Sequence, residues 1–468
     1  MSSDDPSSSR STIAAVILAA GLGTRMRSQT PKELQPLAGR PMIDYVVAAA
    51  RACKPAQMIV VLSPSKLGVR DRLPADCAVA WQHEPLGTGH ATAQALTLLQ
   101  PQVRHVVVLF GDHPLLSDVS VSSLVSAAQT SDALATLLTT VLDDPAGYGR
   151  LRWRDGRIVG ILEAKQDQEQ HREPIEVYSG ISCYDRRWLE LALPRVPRSP
   201  IGEFYLTSLV ELAAEVPCIA APVVAVQAPP DVAHGVNDRV DLARAEVILR
   251  RRINERLMRS GVAIVDPAST FIDDLVTIEP DARIEPFTML EGQSVVGSRS
   301  RIGPHALVRD SRIGSDCEVL ASVLEGSELG DRVGVGPYAH LRPGSRVGDD
   351  VHIGNYAEIK NSVIGAKTRM GHFSYVGDAT VGEDVNIGAG AVTANYDGVT
   401  KHRTEIGDHA FVGVDSVLRA PVRVGANAVT GAGAVVTHDV PDGVTVAGVP
   451  ARPMPRRTEH DAETRQGS

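Results

Sequence analysis

The fold of the second half of the chain is indicated by residues 329–360, which read LGDRVGVGPYAHLRPGSRVGDDVHIGNYAEIK. An aliphatic residue returns there at every sixth position: Leu329, Val335, Leu341, Val347, Ile353 and Ile359. A six-residue period, with Gly often after the aliphatic residue, is typical of a parallel β-helix. Each aliphatic side chain would point inward, and Gly or small residues would occupy the corners. We therefore predict a parallel β-helix.

The same period continues on both sides of this stretch. A second set in register comprises Ile406, Val412, Leu418, Val424, Thr430 and Val436. Members with small register shifts are Ile302, Ile313, Val319, Ile364, Met370, Val376, Val381 and Ile387. The segment 394–405 breaks the period, and Asn395-Tyr396-Asp397-Gly398 is rich in turn-forming residues, so a projecting loop is predicted there.

The first half of the chain has a different pattern. Ile13–Ala20, Met58–Leu62 and Val106–Phe110 are continuous apolar runs of strand length, separated by amphipathic stretches. Such runs indicate strands buried on both faces of a parallel sheet, with helices between them. We predict one doubly wound, Rossmann-like α/β domain over residues 12–237.

Residues 238–261 are predicted to form a connector helix between the halves. Apolar residues recur there every three or four positions: Leu242, Ala245, Leu249, Ile253 and Leu257. Asp238 or Asp241 can cap its start, and Gly261 can end it. The β-helix would then occupy 262–452, with flexible tails at 1–11 and 453–468.

Composition and charge exclude several protein classes. The chain has 468 residues, 43% hydrophobic and 22% charged, which indicates a globular protein of two or three domains. A net charge of −9 argues against non-specific binding to nucleic acid or acidic membranes. Five scattered cysteines without a CxxC pair argue against a disulfide framework and a zinc site, and fit a reducing compartment. With no apolar run of about 18 residues, we expect a cytoplasmic protein with no membrane span.

A candidate phosphate site follows the first predicted strand. The sequence continues as Gly21-Leu22-Gly23-Thr24-Arg25-Met26, and Lys32 comes shortly after. Glycines at the carboxyl end of a strand let backbone N–H groups approach phosphate oxygens, and two adjacent cations suit a nucleoside triphosphate. A Gly-x-Gly turn alone is equally compatible with a structural turn. Asp112, at the end of an apolar strand, could hold Mg²⁺, with Asn237 as a second oxygen ligand.

Further motifs accompany this turn, and residues 81–90 are predicted to form a polar, Gly-containing loop between elements. The motifs are Gln82…Leu86-Gly87-Thr88-Gly89, Gly111-Asp112, Tyr148-Gly149-Arg150, Glu163, Gly202-Glu203-Phe204-Tyr205-Leu206-Thr207 and Gly235-Val236-Asn237. With them, the first half resembles the sugar-1-phosphate nucleotidyltransferases. From about residue 13 to 452, the chain resembles the bacterial family of bifunctional N-acetylglucosamine-1-phosphate uridyltransferases and glucosamine-1-phosphate acetyltransferases. The resemblance implies a left-handed β-helix and synthesis of UDP-N-acetylglucosamine from glucosamine-1-phosphate, acetyl-CoA and UTP, with Mg²⁺ as the metal.

The resemblance also assigns residues in the first half. Those implied to bind UTP or the sugar nucleotide are Gly21, Arg25, Lys32, Gln82, Gly87, Thr88, Gly149, Glu163 and Asn237. Asp112 and Asn237 would hold Mg²⁺, while Arg25 and Lys32 would act in catalysis, which is in-line attack on the α-phosphorus without a covalent intermediate. Tyr178, in the sugar-binding segment, stands where the family has an Asn, and a phenol cannot reproduce the donor and acceptor geometry of an amide.

In the second half, the resemblance implies an acetyltransferase site. The residues implied to hold glucosamine-1-phosphate are Arg342, Lys360, Tyr375, Asn386 and Lys401. His372 would take a proton from the sugar amine. The residues assigned to acetyl-CoA are Ala389, Asn395, Val414, Ala432 and Arg452. Val414 stands where the family usually has Ser, and its usual Arg falls on Gly448, for which Arg452 is a nearby substitute. The family further implies a homotrimer with sites between neighbouring β-helices.

Three interpretations follow from the sequence. The first is the bifunctional enzyme. The second is a single-activity sugar-1-phosphate nucleotidyltransferase whose β-helix serves assembly or regulation, an alternative kept open by Tyr178, Val414 and Gly448. The third is a non-catalytic scaffold, which would leave Arg25, Lys32 and Asp112 unexplained.

Overall fold

The computed structural model describes residues 11–145, 147–163 and 174–454. The predicted tails lie outside this range except for residues 11, 453 and 454. The chain divides into two compact units between Leu249 and Arg250.

The first unit contains a mixed sheet with helices on both faces. Its strands are β1 (Ile13–Leu18), β2 (Pro36–Leu37), β3 (Arg40–Pro41), β4 (Gln57–Leu62), β5 (Cys77–Trp81), β6 (His105–Phe110), β7 (Ala135–Leu142), β8 (Gly149–Arg154), β9 (Arg157–Leu162), β10 (Ile175–Asp185) and β11 (Val223–Gln227). The helices of this unit are α1 (Met42–Arg51), α2 (Leu67–Arg72), α3 (Thr88–Leu96), α4 (Asp118–Thr130), α5 (Arg186–Ala192) and α6 (Ser208–Ala214). Helix α7 (Arg239–Arg259) contains the boundary between the two units. Short 3₁₀ helices lie at Thr24–Met26, Lys32–Leu34, Leu193–Arg195 and Pro230–Ala233.

The main sheet has the strand order β11-β7-β10-β6-β1-β4-β5. Strands β6, β1, β4 and β5 are parallel, as predicted, and β1 is buried along its whole length. The sheet differs from a purely parallel one at β10, which pairs antiparallel with both β6 and β7. Strand β1 ends at Leu18, so Ala19 and Ala20 belong to the turn that follows rather than to the predicted strand.

The two faces of the sheet support separate cores. Val16, Ile59 and Val108 point to one face, whereas Ile17 and Leu109 point to the other. Alternate residues of a strand point to opposite faces, so a continuous apolar run is required when both faces are covered. The carboxyl ends of β1 and β6, which are hydrogen-bonded neighbours, therefore meet at one edge of the sheet.

The second unit is a left-handed parallel β-helix, as predicted, built from three stacked sheets. Face one contains Ala263–Ile264, Arg283–Ile284, Arg301–Ile302, Glu318–Val319, Gly334–Val335, His352–Asn355, Arg369–His372, Asn386–Ile387, Phe411–Val412, Val429–Thr430, Thr445–Ala447 and Arg452–Pro453. Face two contains Phe271–Ile272, Met289–Glu291, Leu307–Arg309, Val323–Glu325, His340–Leu341, Glu358–Lys360, Tyr375–Gly377, Val392–Ala394, Val417–Arg419 and Val435–Val436. Face three contains Thr277–Ile278, Val295–Val296, Arg312–Ile313, Glu328–Leu329, Arg346–Val347, Val363–Ile364, Ala379–Val381, Thr404–Ile406 and Val422–Val424.

The six-residue period corresponds to the inward positions of this β-helix. All twenty periodic residues named from the sequence are buried, including Thr430. The predicted loop also forms, since Asp397 Oδ1 accepts hydrogen bonds from the backbone N–H groups of Val399 and Thr400. The side chain of Val399 is 84% exposed.

One corner of the β-helix differs from the prediction of Gly or small residues. Arg299, Asp316, Arg332 and Asp350 occupy successive coils there, with φ between 57° and 59°. Arg299 donates two hydrogen bonds to Asp316, at 2.7 and 2.6 Å, and Arg332 donates two to Asp350, at 2.7 and 2.9 Å. A left-handed conformation is costly for residues with a Cβ. Here bidentate ion pairs between coils offset part of that cost.

Helix α7 lies within the range predicted for the connector. Asp238 Oδ1 accepts from the backbone N–H groups of Val240 and Asp241, so Asp238 is the residue that caps the helix. Gly261, with φ of 99°, follows its last turn. No helix in the described part of the chain has both the length and the apolar character needed to cross a bilayer.

Candidate active sites

A cavity of about 490 Å³ lies at the edge where β1 and β6 end. It collects most of the residues predicted to bind the nucleotide and metal: Gly21, Arg25, Lys32, Gln82, Gly87, Thr88, Asp112 and Asn237. The edge is the usual ligand position in open α/β sheets, because strand ends leave a crevice there.

The Gly turn and Lys32 are held close together. Gly23 has φ of 63°, and a Cβ added to it would lie 3.1 Å from Lys32 Cβ. Glycine thus allows both the left-handed turn and the approach of the segment that carries Lys32. The following residues, Thr24–Met26, form a 3₁₀ turn that contains Arg25.

Lys32 and Asp112 form an ion pair inside the cavity. Lys32 Nζ lies 2.5 Å from Asp112 Oδ2, and His113 Nδ1 lies 2.9 Å from Asp112 Oδ1. Burial would raise the pKa of Asp112, but the Lys32 ammonium and His113 together hold that pKa well below its usual range. Asp112 is therefore a carboxylate at neutral pH.

The two predicted metal ligands lie on adjoining segments. The Val236 N–H donates to the Asp112 carbonyl at 2.8 Å, which fixes the Asn237 segment beside Asp112. Arg25 donates from Nη2 to Asn237 Oδ1 at 2.8 Å. Asp112 Oδ2 and Asn237 Oδ1, the candidate metal-ligand oxygens, are thus each in contact with a cationic side chain. No group of three or more His, Cys, Asp or Glu side chains that could hold a metal occurs among the described residues.

Gly87 and Thr88 are fixed by the segment around Phe204. A Cβ on Gly87, whose φ is 96°, would lie 2.7 Å from the Phe204 carbonyl oxygen. Thr88 Oγ1 accepts from the Leu206 N–H at 2.9 Å, and Gln82 Nε2 donates to the Gly87 carbonyl at 3.1 Å. The structure corrects the prediction of a loop through residue 90, because α3 already begins at Thr88.

A second cavity, of about 710 Å³, shares Arg25, Thr88 and Asn237 with the first. It is also lined by Gly149, Glu163 and Tyr178. Every residue predicted for the nucleotidyl-transfer site therefore lines one of two neighbouring cavities.

Contacts within the second cavity fix Glu163 and Tyr178. Glu163 Oε1 accepts from Thr207 Oγ1 at 2.6 Å. The Tyr178 hydroxyl donates to the Gly180 carbonyl at 2.7 Å and lies 3.1 Å from Ser182 Oγ, and burial raises the pKa of this phenol well above its usual value. The hydroxyl of Tyr178 is thus engaged within its own strand, and its side chain belongs to the hydrophobic core at the wall of this cavity.

In the β-helix, His372 ends a face-one strand and is paired in register with Asn355 on the preceding coil. His372 Nδ1 lies 2.8 Å from Asn355 Oδ1. An amide oxygen only accepts, so Nδ1 carries the hydrogen, and in the neutral imidazole Nε2 then holds the lone pair. His372 itself is exposed.

Cations gather at the end of the face-two strand Glu358–Lys360. The close approach of the Lys401 ammonium, together with Arg342, lowers the pKa of Lys360. Arg342 Nη1 also lies 3.0 Å from Glu358 Oε1. Three like charges held near one another are typical of a site for a polyanion such as a phosphate ester.

Tyr375 and Asn395 belong to a polar network around the buried side chain of Asp378. Asn395 Nδ2 donates to Asp378 Oδ2 at 2.6 Å and lies 3.4 Å from the Tyr375 hydroxyl. Asn361 donates to the other Asp378 oxygen at 2.6 Å. Asn386 is not part of this group, because it lies on face one in register with Arg369, whereas Tyr375 is on face two.

Ala389, Val414 and Ala432, three of the residues assigned to acetyl-CoA, form one column with His372, whereas Asn395 lies in the polar network around Asp378. Successive strands of face one are paired through Met370, Ile387, Val412 and Thr430. Two positions after each of these stand, in the same order, His372, Ala389, Val414 and Ala432. Gly448 follows Val446 in the same way. Arg452 is paired with Ala447, so it lies at the end of the column.

Comparison with known proteins covers both units. A model described as a MobA-like NTP transferase domain matches residues 15–173, and one described as bacterial transferase hexapeptide (six repeats) matches 326–361 and 403–438. The chain is 44% identical to the bifunctional protein GlmU of Heliobacterium modesticaldum, over 92% of this chain and 94% of that protein. For the proteins of the same name from Geobacillus thermodenitrificans and Pelobacter propionicus, identity is 43% and 45%, over 93% and 94% of their lengths.

The chain belongs to the GlmU family. The polar residues that contact the predicted site residues of this GlmU-family member, but were not singled out from the sequence, include His113, Asn355 and Asp378. A signal existed for Asn355 and Asp378, since Asn355 lies 17 residues before His372 and Asp378 lies 17 residues before Asn395, which is one coil of the periodic β-helix. His113 directly follows Asp112 in the sequence.

Proposed function

We propose that this GlmU-family chain catalyses two successive reactions. The second unit transfers an acetyl group from acetyl-CoA to glucosamine-1-phosphate, and the first transfers a uridylyl group from UTP to N-acetylglucosamine-1-phosphate. The observation that carries this proposal is that relatives named bifunctional are matched over 93–94% of their lengths. A single-activity nucleotidyltransferase is not favoured.

Uridylyl transfer requires charge neutralisation and alignment. An oxygen of the sugar phosphate attacks the α-phosphorus of UTP, and the bond to the bridging oxygen of the leaving pyrophosphate breaks. We assign Arg25 and Lys32 to the negative charge of the triphosphate, because both line the cavity beside the Gly21–Gly23 turn. Backbone N–H groups of that turn, with Gln82, Gly87 and Thr88, would orient the nucleotide.

The oxygens of Asp112 and Asn237 fit a divalent cation, and we propose Mg²⁺. A carboxylate and an amide oxygen are suitable hard ligands, and Mg²⁺ commonly takes only one or two protein ligands besides water and phosphate oxygens. When bound, the metal would neutralise charge on the triphosphate. Lys32 and Arg25, which now contact these two oxygens, would then be free to bind phosphate.

The larger cavity is proposed to receive the sugar. Glu163 and Gly149 would contact the sugar nucleotide there. Tyr178 offers a ring face in place of an amide, so its contribution to sugar selectivity would come from packing against the pyranose ring rather than from a hydrogen bond.

Acetyl transfer is proposed to use His372 Nε2 as the general base. The amine of glucosamine-1-phosphate attacks the thioester carbonyl carbon, His372 takes the amine proton, and the C–S bond breaks. The proton passes from His372 to the departing sulfur, so that coenzyme A leaves as the thiol and the histidine is neutral again. Arg342, Lys360 and Lys401 would hold the sugar phosphate, and Tyr375 and Asn386 would contact the sugar.

The column from Ala389 to Ala432 is proposed to carry the pantetheine arm. Ala389 and Ala432 have small side chains, and Val414 presents an apolar surface that is 47% exposed. Arg452, at the end of the column, would meet a phosphate of coenzyme A. Asn395, whose Nδ2 lies 3.4 Å from the Tyr375 hydroxyl, would act near this site by orienting that tyrosine.

We propose further that the protein is a cytoplasmic homotrimer whose partners are small molecules rather than nucleic acid. Asn386 and Tyr375 lie on different faces of one β-helix. A neighbouring copy could bring the two residues together across an interface.

The two half-reactions can be tested separately. Pyrophosphate release is measured with UTP, N-acetylglucosamine-1-phosphate and Mg²⁺, without acetyl-CoA. Thiol release is measured with acetyl-CoA and glucosamine-1-phosphate, without UTP. Both are expected. Pyrophosphate release without thiol release would instead support the single-activity alternative.

A further inference from the structure

A second ion pair lies beneath the Lys32–Asp112 pair. Lys66 Nζ is 2.6 Å from Glu33 Oε1, and the two side chains are only 5% and 3% exposed. Burial lowers the pKa of Lys66, while the neighbouring Glu33 carboxylate opposes that shift. Burial of two charges is expensive unless their remaining polar atoms are also satisfied.

Lys66 connects this pair to the Gly turn. Its ammonium also donates to the Ala19 carbonyl at 2.8 Å. Ala19 directly follows β1 and precedes the turn that begins at Gly21. The ammonium therefore fixes the backbone at the point where the phosphate-binding turn leaves the sheet.

Glu33 connects the pair to the catalytic segments. It is adjacent to Lys32 in the same 3₁₀ turn, so its anchoring restrains the backbone from which Lys32 extends. A Cβ on Gly111 would lie 3.4 Å from Glu33 Cγ and 3.0 Å from Ala19 Cβ, which places the Gly111-Asp112 turn against the same side chains.

We propose that the buried Glu33–Lys66 pair is a positioning element for uridylyl transfer, which fixes the Gly turn, Lys32 and Asp112 relative to one another. The proposal rests on the function assigned above to the first unit. The second carboxylate oxygen of Glu33, Oε2, is buried and has no hydrogen-bond partner among the described residues. A pair present only for stability would be better replaced by two apolar side chains, which often stabilise a core equally well or more.

The test compares Lys66→Met, Lys66→Arg and the double variant Glu33→Met/Lys66→Met. Lys66→Met leaves Glu33 buried and unpaired, whereas the double variant removes both charges at similar side-chain length. Arg72→Met, which breaks the exposed pair with Asp44 at 2.6 Å, is the matched control. For each, kcat and KM for UTP, thiol release from acetyl-CoA and the thermal unfolding midpoint are measured.

We expect the double variant to unfold close to the wild-type temperature and yet to lose about 10- to 100-fold in kcat/KM for UTP, since small misplacements of catalytic groups cost that much. Thiol release should stay at the wild-type level. Lys66→Arg should retain more UTP turnover than Lys66→Met, because it keeps a cationic donor, and Arg72→Met should match wild type.

Wild-type UTP turnover in the double variant would overturn the positioning role while leaving the proposed function intact. Equal losses of UTP turnover and thiol release would also overturn it, because they would indicate general damage to the chain. Absence of pyrophosphate release in the wild-type protein would instead overturn the proposed function, and the positioning role with it.

Discussion

His372 Nδ1 lies 2.8 Å from Asn355 Oδ1, and the two residues occupy equivalent positions on successive coils of the β-helix. The amide oxygen of Asn355 fixes the imidazole with its hydrogen on Nδ1. Nε2 is then available to accept a proton, which is what a general base for amine acylation requires. The β-helix repeat thus supplies both the base and the group that orients it.

Replacement of His372 by Ala should lower acetyl transfer by about 10²- to 10⁴-fold, the usual effect of losing a general base. Binding of glucosamine-1-phosphate, measured by calorimetry, should survive because Arg342, Lys360 and Lys401 remain. UTP turnover with N-acetylglucosamine-1-phosphate should be unchanged.

Asn355→Ala is the companion variant for this histidine. It should lower the acetyl-transfer kcat by less than His372→Ala does and should leave the KM for acetyl-CoA unchanged. Full acetyl transfer in His372→Ala would show that another group is the base.

Asp112→Asn should lower uridylyl transfer by orders of magnitude and raise the Mg²⁺ concentration needed for half-maximal rate, because a carboxylate ligand is lost. The measurement is a magnesium titration of pyrophosphate release, with thiol release as the internal control. An unchanged titration would mean that Asp112 only forms the turn after β6.

Ala432→Leu should raise the KM for acetyl-CoA, since a branched side chain would intrude on the column that runs from His372 to Gly448. Ala366→Leu, on another corner of the same β-helix, is the matched control. The measurement is thiol release at varied acetyl-CoA. Equal KM values in both variants and wild type would place coenzyme A elsewhere.

The two Arg–Asp ion pairs at one corner of the β-helix predict that its stability depends on pH. Hydrogen bonds from Arg299 and Arg332 lower the pKa values of Asp316 and Asp350. A carboxyl whose folded pKa lies below its unfolded value, about 3.9, contributes stability above that value and loses it as the pH falls through the folded pKa.

The double variant Arg299→Gln/Arg332→Gln should therefore unfold at a lower temperature than wild type at pH 7, and the difference should shrink in acid. Circular dichroism of the full chain measures this, with the exposed Arg312→Gln as control. A difference that is independent of pH would contradict the assignment. High salt should also reduce this difference in unfolding temperature, because salt screens exposed ion pairs.

The inward positions of the β-helix could be predicted residue by residue because each is a local property of one short strand. The charged corner was missed because the corners were expected to hold Gly or small residues, although the 17-residue spacing of Arg299 and Asp316 equals one coil. The start of α3 at Thr88 was missed because the Phe204 segment fixes Gly87 and Thr88 from a distance. The same reason applies to Lys66, whose partner Glu33 is 33 residues away.

The central claim is that one chain performs both transfers in sequence. Wild-type protein is incubated with glucosamine-1-phosphate, acetyl-CoA, UTP and Mg²⁺, and the products are separated by chromatography. We predict free thiol, pyrophosphate and UDP-N-acetylglucosamine, with UDP-sugar formation dependent on acetyl-CoA. Formation of N-acetylglucosamine-1-phosphate without any UDP-sugar, or UDP-sugar formation at the same rate without acetyl-CoA, would contradict it.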